Sequence, residues 1–179
     1  MRFTATSLPG VYLVELEPRA DDRGFFARTW CRREFAAQGL SDELVQCSLS
    51  FNRRRGTLRG LHYQVEPHAE DKLVRCTHGA IHDVVVDLRP GSPTFCRYVA
   101  VQLAATTHRA LYVPRGCAHG FQTLADDTQV FYQMSEFHAP GAGRGVRWND
   151  PRFGIVWPVA DPILNARDAS YPDFVPDAV

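Results

Sequence analysis

The chain has 179 residues, enough for one domain with a sizeable core, and its 20 Lys and Arg balance 20 Asp and Glu to a formal net charge of zero. Apolar residues make up 45% and charged residues 22%, which excludes a disordered or coiled-coil chain. The missing basic excess argues against a general nucleic-acid binder, and the missing run of about 20 apolar residues argues against a membrane helix.

The N-terminus, Met1-Arg2-Phe3-Thr4-Ala5-Thr6, lacks the apolar stretch of a signal peptide. Five scattered cysteines (Cys31, Cys47, Cys76, Cys96, Cys117) include no CxxC pair. A zinc knuckle or redox motif is therefore not expected; reduced thiols in a cytoplasmic protein are.

Twelve Pro and thirteen Gly punctuate the chain, and the segments between them are short and rich in β-branched and aromatic residues. Gly10–Leu16 is the first expected strand. Thr29–Gly39, with Phe35 inside it and Leu40 just beyond, is the one expected helix, closed by Gly39. Further strands are expected at Lys72–Cys76, Ala80–Leu88, Arg97–Leu103, Ala110–Val113, Gln129–Gln133 and Gly154–Trp157. Turn signals recur at Arg89-Pro90-Gly91-Ser92-Pro93 and Ala139-Pro140-Gly141. Short strands at this spacing predict an all-β sandwich or barrel. No repeat or second domain is visible: a single domain spans 1–179, with its core at about 10–158 and residues 159–179 packing on it.

Chemistry concentrates in a few places. Arg59-Gly60-Leu61-His62-Tyr63-Gln64 puts an imidazole on a Gly-punctuated strand. Alternation places His62 and Gln64 on the face of Gly60 and turns Arg59 and Leu61 away, unless a bulge intervenes. A His is the natural general base near pH 7, and a carboxylate that fixes its tautomer is expected; Asp83, Asp87 and Asp168 qualify by type. Lys72 can hold an enolate oxygen or a phosphate. Tyr132 can carry a proton opposite the base. Arg23, Arg53, Arg54, Arg55, Arg59, Arg75 and Arg115 are expected near the mouth, where guanidinium groups can grip a diphosphate. Read singly, each of these is an ordinary core, edge or surface residue; their combination suggests proton transfer beside a carbonyl.

Pro114-x-Gly116-x-x-His119 resembles the second motif of cupin β-barrels. The His-x-His pair of metal-binding cupins is replaced by His62-Tyr63-Gln64, followed by the cation Lys72, so no metal centre is expected.

Seven segments resemble, in order, the dTDP-4-dehydrorhamnose 3,5-epimerase family. They are Asp22-Arg23-Gly24-Phe25-Phe26, Arg59 to Gln64, Lys72-Leu73-Val74-Arg75, Asp83 to Arg89, Ser92-Pro93-Thr94-Phe95, Pro114 to Phe121, and Trp148-Asn149-Asp150-Pro151 through Trp157-Pro158. The resemblance implies a cupin-like β-jelly roll with short peripheral helices. It implies epimerisation at C3, C5 or both of a nucleoside-diphosphate 4-keto-6-deoxy sugar, without a cofactor. His62 would be the base, Asp168 its carboxylate, Tyr132 the acid and Lys72 the enolate's counter-ion. His119 would line the sugar pocket, Arg59 would contact the diphosphate, and Arg23 with nearby Phe26 and Arg28 would reach the neighbouring site of a homodimer.

The chain departs from the family at three places. Arg28 replaces a Glu that recognises the base, Gln46-Cys47-Ser48 replaces Gln-Asp-Asn, and Phe137-His138 replaces a Tyr-Tyr pair. Arg cannot accept a base N–H, so dTDP, CDP and GDP stay open; Gln46, Ser48 and His138 are still expected to touch substrate. The alternatives are a sugar-nucleotide 3,4-ketoisomerase on the same scaffold, a metal-dependent cupin enzyme and a silent binding module.

Overall fold

A computed structural model describes residues 1–176. Strands are β1 (Arg2–Ala5), β2 (Tyr12–Glu15), β3 (Arg19–Asp21), β4 (Gly24–Phe26), β5 (Gln46–Asn52), β6 (Leu58–Gln64), β7 (Lys72–His78), β8 (Ala80–Asp87), β9 (Tyr98–Ala104), β10 (Ala110–Val113), β11 (Cys117–Thr123), β12 (Thr128–Met134) and β13 (Gly143–Gly145). Two helices, α1 (Arg32–Ala37) and α2 (Ala166–Ala169), lie outside the sheets. A six-stranded antiparallel sheet runs β1-β2-β10-β7-β12-β5, a five-stranded one runs β13-β6-β11-β8-β9, and β3–β4 is a separate hairpin. Neighbouring strands in the sheets are mostly distant in sequence, as jelly-roll winding requires.

Alternation decides what each sheet presents to the other. Val74, Cys76, Leu111, Val113 and Val130 of the larger sheet meet Ile81, Val85, Leu103, Cys117 and Phe121 of the smaller one in one buried cluster. The smaller sheet is apolar on its outer face too. Val84, Val86 and Ala118 are covered there by Val146, Phe153 and Phe174. The larger sheet's outer face is partly covered by α1, with Phe35 against Val14, Leu73 and Tyr112.

The expected helix is shorter than Thr29–Gly39. It ends in a Schellman turn: Gly39 has φ +70°, Gly39 N–H donates to Ala36 O and Leu40 N–H to Phe35 O. The expected strand at Gly154–Trp157 is irregular instead. Ile155 and Trp157 still pack on the outer cluster, and Trp157 Nε1 donates to Trp148 O at 2.9 Å, so the apolar run reflects covering a sheet, not pairing within one. Asp150 fastens the last segment by accepting the Phe174 amide. Of the expected domain, residues 177–179 lie outside the described residues.

Asp87 holds the turn after β8. It is fully buried and accepts from Arg89 N, Nε and Nη2, Ser92 Oγ and Thr94 Oγ1 at 2.6–3.0 Å. Burial alone would push this carboxyl up; the Arg89 guanidinium and the two hydroxyls outweigh it and hold it far below the usual carboxylate range. A depressed folded pKa contributes stability above the unfolded value near about 4 and loses it as pH falls toward the folded value. Asp87→Asn is therefore expected to cost about 2–4 kcal/mol at pH 7. The gap to wild type should narrow at pH 3, as read by urea denaturation at both pH values.

Candidate active site

At one end of the sandwich the inward side chains turn from apolar to polar. Along β7 the inward residues run Cys76, Val74, Lys72, and along β12 Val130 is followed by the phenol of Tyr132. The result is a cleft of about 510 Å³ lined by Gln46, Ser48, Ser50, Arg59, His62, Glu70, Lys72, His119, Tyr132, Met134, His138, Asn165 and Asp168. That volume suits a small-molecule ligand.

His62 and Arg59 share this cleft because β6 carries one extra residue. His119 pairs with His62 and Phe121 with Arg59 across β11, so three steps on β6 match two on β11. This is the bulge that strict alternation left open. The Gly60–Leu61 peptide within it is cis. Gly60 has φ +132°, and a Cβ there would sit 2.6 Å from Gly120 Cα. Two glycines thus let the strands approach closely enough to set the two imidazoles side by side.

Asp168, not Asp83 or Asp87, is the partner of His62. Its Oδ1 lies 2.7 Å from His62 Nε2, and its Oδ2 accepts the Gly60 amide at 3.1 Å. Asn165 caps α2 by accepting the Asp168 amide at 2.7 Å, an Asn-x-x-Asp pattern readable in sequence. Asp168 is 1% exposed. Burial would raise its pKa, but the bond from His62, the charge of that imidazole when protonated and the Gly60 amide bring it below the ordinary value. An ionised carboxylate only accepts, so in the neutral ring His62 Nε2 carries the proton and Nδ1 has the lone pair. The imidazole is 38% exposed, open to the cleft.

Asp83 instead pairs with His119, Oδ1 to Nε2 at 2.7 Å, and both are buried. Lys72 Nζ donates to His62 O at 3.2 Å and lies 3.1 Å from Glu70 Oε1. Tyr132 stands on the opposite sheet from His62, edge-on to His119 with ring centroids 6.1 Å apart. Burial, followed by the charge of Asp83, raises its pKa well above that of a free phenol, against a smaller opposing pull from Arg59; it stays protonated at neutral pH. Arg59 Nε donates to Asn52 Oδ1 at 2.8 Å. Gln46 Oε1 accepts the His138 amide at 3.2 Å.

Nine of the expected residues therefore meet in one cleft: His62, Tyr132, Asp168, Lys72, Gln46, Ser48, Arg59, His119 and His138. Arg23, Phe26 and Arg28 do not line it. Arg23 is bound to Asp21 with 89% of its side chain exposed. Phe26 is 78% exposed. Arg28 donates to Glu34 Oε1 at 2.7 Å, and with Phe26 it lines a separate recess. Of the seven arginines expected near the mouth, six do not line this chain's own cleft. Only Arg59 lines the cleft; Arg115 pairs with Asp71, and Arg75 points to the outer side of β7, three residues from inward Lys72. Ser50, Glu70, Met134 and Asn165 were not anticipated. Ser50 and Met134 follow from alternation once Ser48 and Tyr132 are placed inward.

Two antiparallel sheets enclosing a carboxylate-held imidazole, an ammonium and a protonated phenol make a jelly-roll protein equipped for proton transfer at one end. The family model for dTDP-4-dehydrorhamnose 3,5-epimerase matches residues 5–175, and the chain belongs to that family. It is similar to the dTDP-4-dehydrorhamnose 3,5-epimerase of Shigella flexneri, 41% identical over 98% of this chain and 97% of that one. It also matches the crystal structure of the Bacillus anthracis enzyme with TDP and PPi bound (TM-score 0.93, 40% identity, 97% of this chain and 99% of that one). A 3'-monoepimerase from Streptomyces bikiniensis in complex with dTDP-quinovose is similar as well (TM-score 0.86, 34% identity, 94% and 85%).

Proposed function

We propose that this epimerase inverts C3, C5 or both of a nucleoside-diphosphate 4-keto-6-deoxy sugar by removing a proton on one ring face and returning one on the other. The observation that carries this reading is that His62 and Tyr132 line one cleft from opposite sheets, and that Lys72 lines the same cleft with its ammonium 3.2 Å from His62 O.

The C4 ketone acidifies the hydrogens on both neighbouring carbons. His62 Nδ1 takes one of them, and Asp168 stabilises the imidazolium that forms. Negative charge collects on O4, where the Lys72 ammonium holds it. The Tyr132 O–H then delivers its proton to the opposite face, leaving the inverted carbon; solvent reprotonates the phenolate and takes the abstracted proton from the His62 imidazolium. Arg59 contacts the diphosphate, while Gln46, Ser48, His119 and His138 contact nucleotide or sugar. No step needs a cofactor.

Relatives with TDP or a dTDP-sugar bound support thymine as the base. In a thermal-shift series TDP is expected to stabilise more than UDP, CDP or GDP; a preference for CDP or GDP would assign Arg28 as a changed base contact. The protein acts as a cytoplasmic homodimer, one 1–179 domain per subunit, whose exposed hairpin and the residues just after it carry Arg23, Phe26 and Arg28 into the neighbouring site. Sedimentation at micromolar concentration reads that directly, and a monomer would defeat it. No helix of the described residues is long and apolar enough to cross a membrane.

The test of the reaction is NMR of a 4-keto sugar nucleotide in D2O. Deuterium should enter C3, C5 or both with inversion; no incorporation with any such substrate would defeat the reading, and migration of the ketone would identify a 3,4-ketoisomerase. In Tyr132→Phe, inversion should slow by roughly 10²-fold, more than deuterium exchange does, because the enolate still forms.

A further inference from the structure

On the outer side of β7, away from the cleft, Arg75 is the one buried Lys or Arg among the described residues, at 8% exposure. Its Nη2 donates to Thr29 O at 2.8 Å. It has no ion-pair partner among the described residues, and burial alone draws its pKa down. A guanidinium offers five donors, and an uncompensated buried charge is costly. The space beside it is a cavity of about 250 Å³ lined by Leu16, Phe25, Ala27, Thr29, Arg75, Cys76, Thr77, Ala105 and His108. The lining holds a cation, an imidazole and two threonine hydroxyls, and no carboxylate. Thr77 and His108 are exposed, so the cavity opens to solvent.

We propose that this cavity is a binding site for a small oxyanion of the inorganic phosphate class, with Arg75 as its charged anchor and His108 and Thr77 at its entrance. A tetrahedral oxyanion fits the volume and takes the donors that Thr29 leaves free through charge-assisted bonds. Because Arg75 also holds the segment that follows the β3–β4 hairpin, a bound anion links that segment to the sheet. The site is separate from the cleft: Arg75 and Lys72 leave β7 on opposite faces.

The experiment is a calorimetric titration of inorganic phosphate at constant ionic strength into Arg59→Gln protein, in which the cleft's own diphosphate contact is removed. One site with a sub-millimolar dissociation constant is expected. Adding Arg75→Gln, which can keep the bond to Thr29 O, should weaken it at least tenfold. Adding Thr77→Glu, which places a carboxylate at the entrance without touching the buried guanidinium's packing, should do the same. Phosphate binding unchanged in both double variants overturns the proposal. So does absence of binding in the Arg59→Gln protein; if Arg75→Gln then also weakens self-association, a carboxylate from a second copy is the occupant.

Discussion

His62→Ala is expected to slow deuterium entry into the sugar by roughly 10²–10⁴-fold, with little change in nucleotide affinity and a melting temperature close to wild type. The imidazole is part-exposed at the cleft wall, so its removal opens little space in the core. The diphosphate and base are held elsewhere in the proposed complex, which confines the loss to kcat. Asp168→Asn should lose about 10²-fold or more for a different reason. A side-chain amide facing Nε2 can donate to it, which moves the ring proton to Nδ1 and blocks the atom that must accept. Rates followed by NMR in D2O, beside melting curves, separate these outcomes. A His62→Ala protein that still exchanges at the wild-type rate would remove the imidazole from the mechanism.

Gly60→Ala should be strongly destabilising. The added Cβ would meet Gly120 Cα at 2.6 Å and His119 O at 3.0 Å. These are backbone atoms of a paired strand and cannot swing aside. The residue also sits at φ +132°, a region that costs an L-residue about 1–3 kcal/mol before any clash. A loss of about 3–5 kcal/mol follows, or roughly 10 °C or more for a chain of this size. Gly24→Ala is the matched control: its φ is +124° and nothing lies within 4 Å of the added Cβ, so it measures backbone strain alone. Calorimetry showing equal losses in the two variants would mean that the close approach of β6 and β11 contributes nothing.

Strands buried on the expected pattern were the easiest to read. Val84 to Val86 and Ala110 to Val113 are β-branched or apolar and sit under cover, and both segments are strands. β5 was missed because its alternation is inverted. Gln46, Ser48, Ser50 and Asn52 face inward, three of them onto the cleft, while Leu49 and Phe51 are exposed. A rule that sends apolar residues inside reads such a strand backwards or not at all. The bulge in β6 had only Gly60 as its signal, and a glycine alone does not say whether the register slips. Asp168 could not be chosen over Asp83 and Asp87 from residue types, since all three are buried beside a cationic or imidazole partner. The family resemblance supplied that choice, and the short capped helix shows how the chain delivers it. Arg23, Phe26 and Arg28 were legible as a motif but not as part of this chain's own cleft.

His62 and its carboxylate are separated by 106 positions. A growing chain has therefore made every barrel strand before the residue that completes the dyad is translated. On the proposed mechanism a chain that stops short of Asp168 has an unset base, so protein synthesis itself holds back full proton abstraction until the last turn of helix docks.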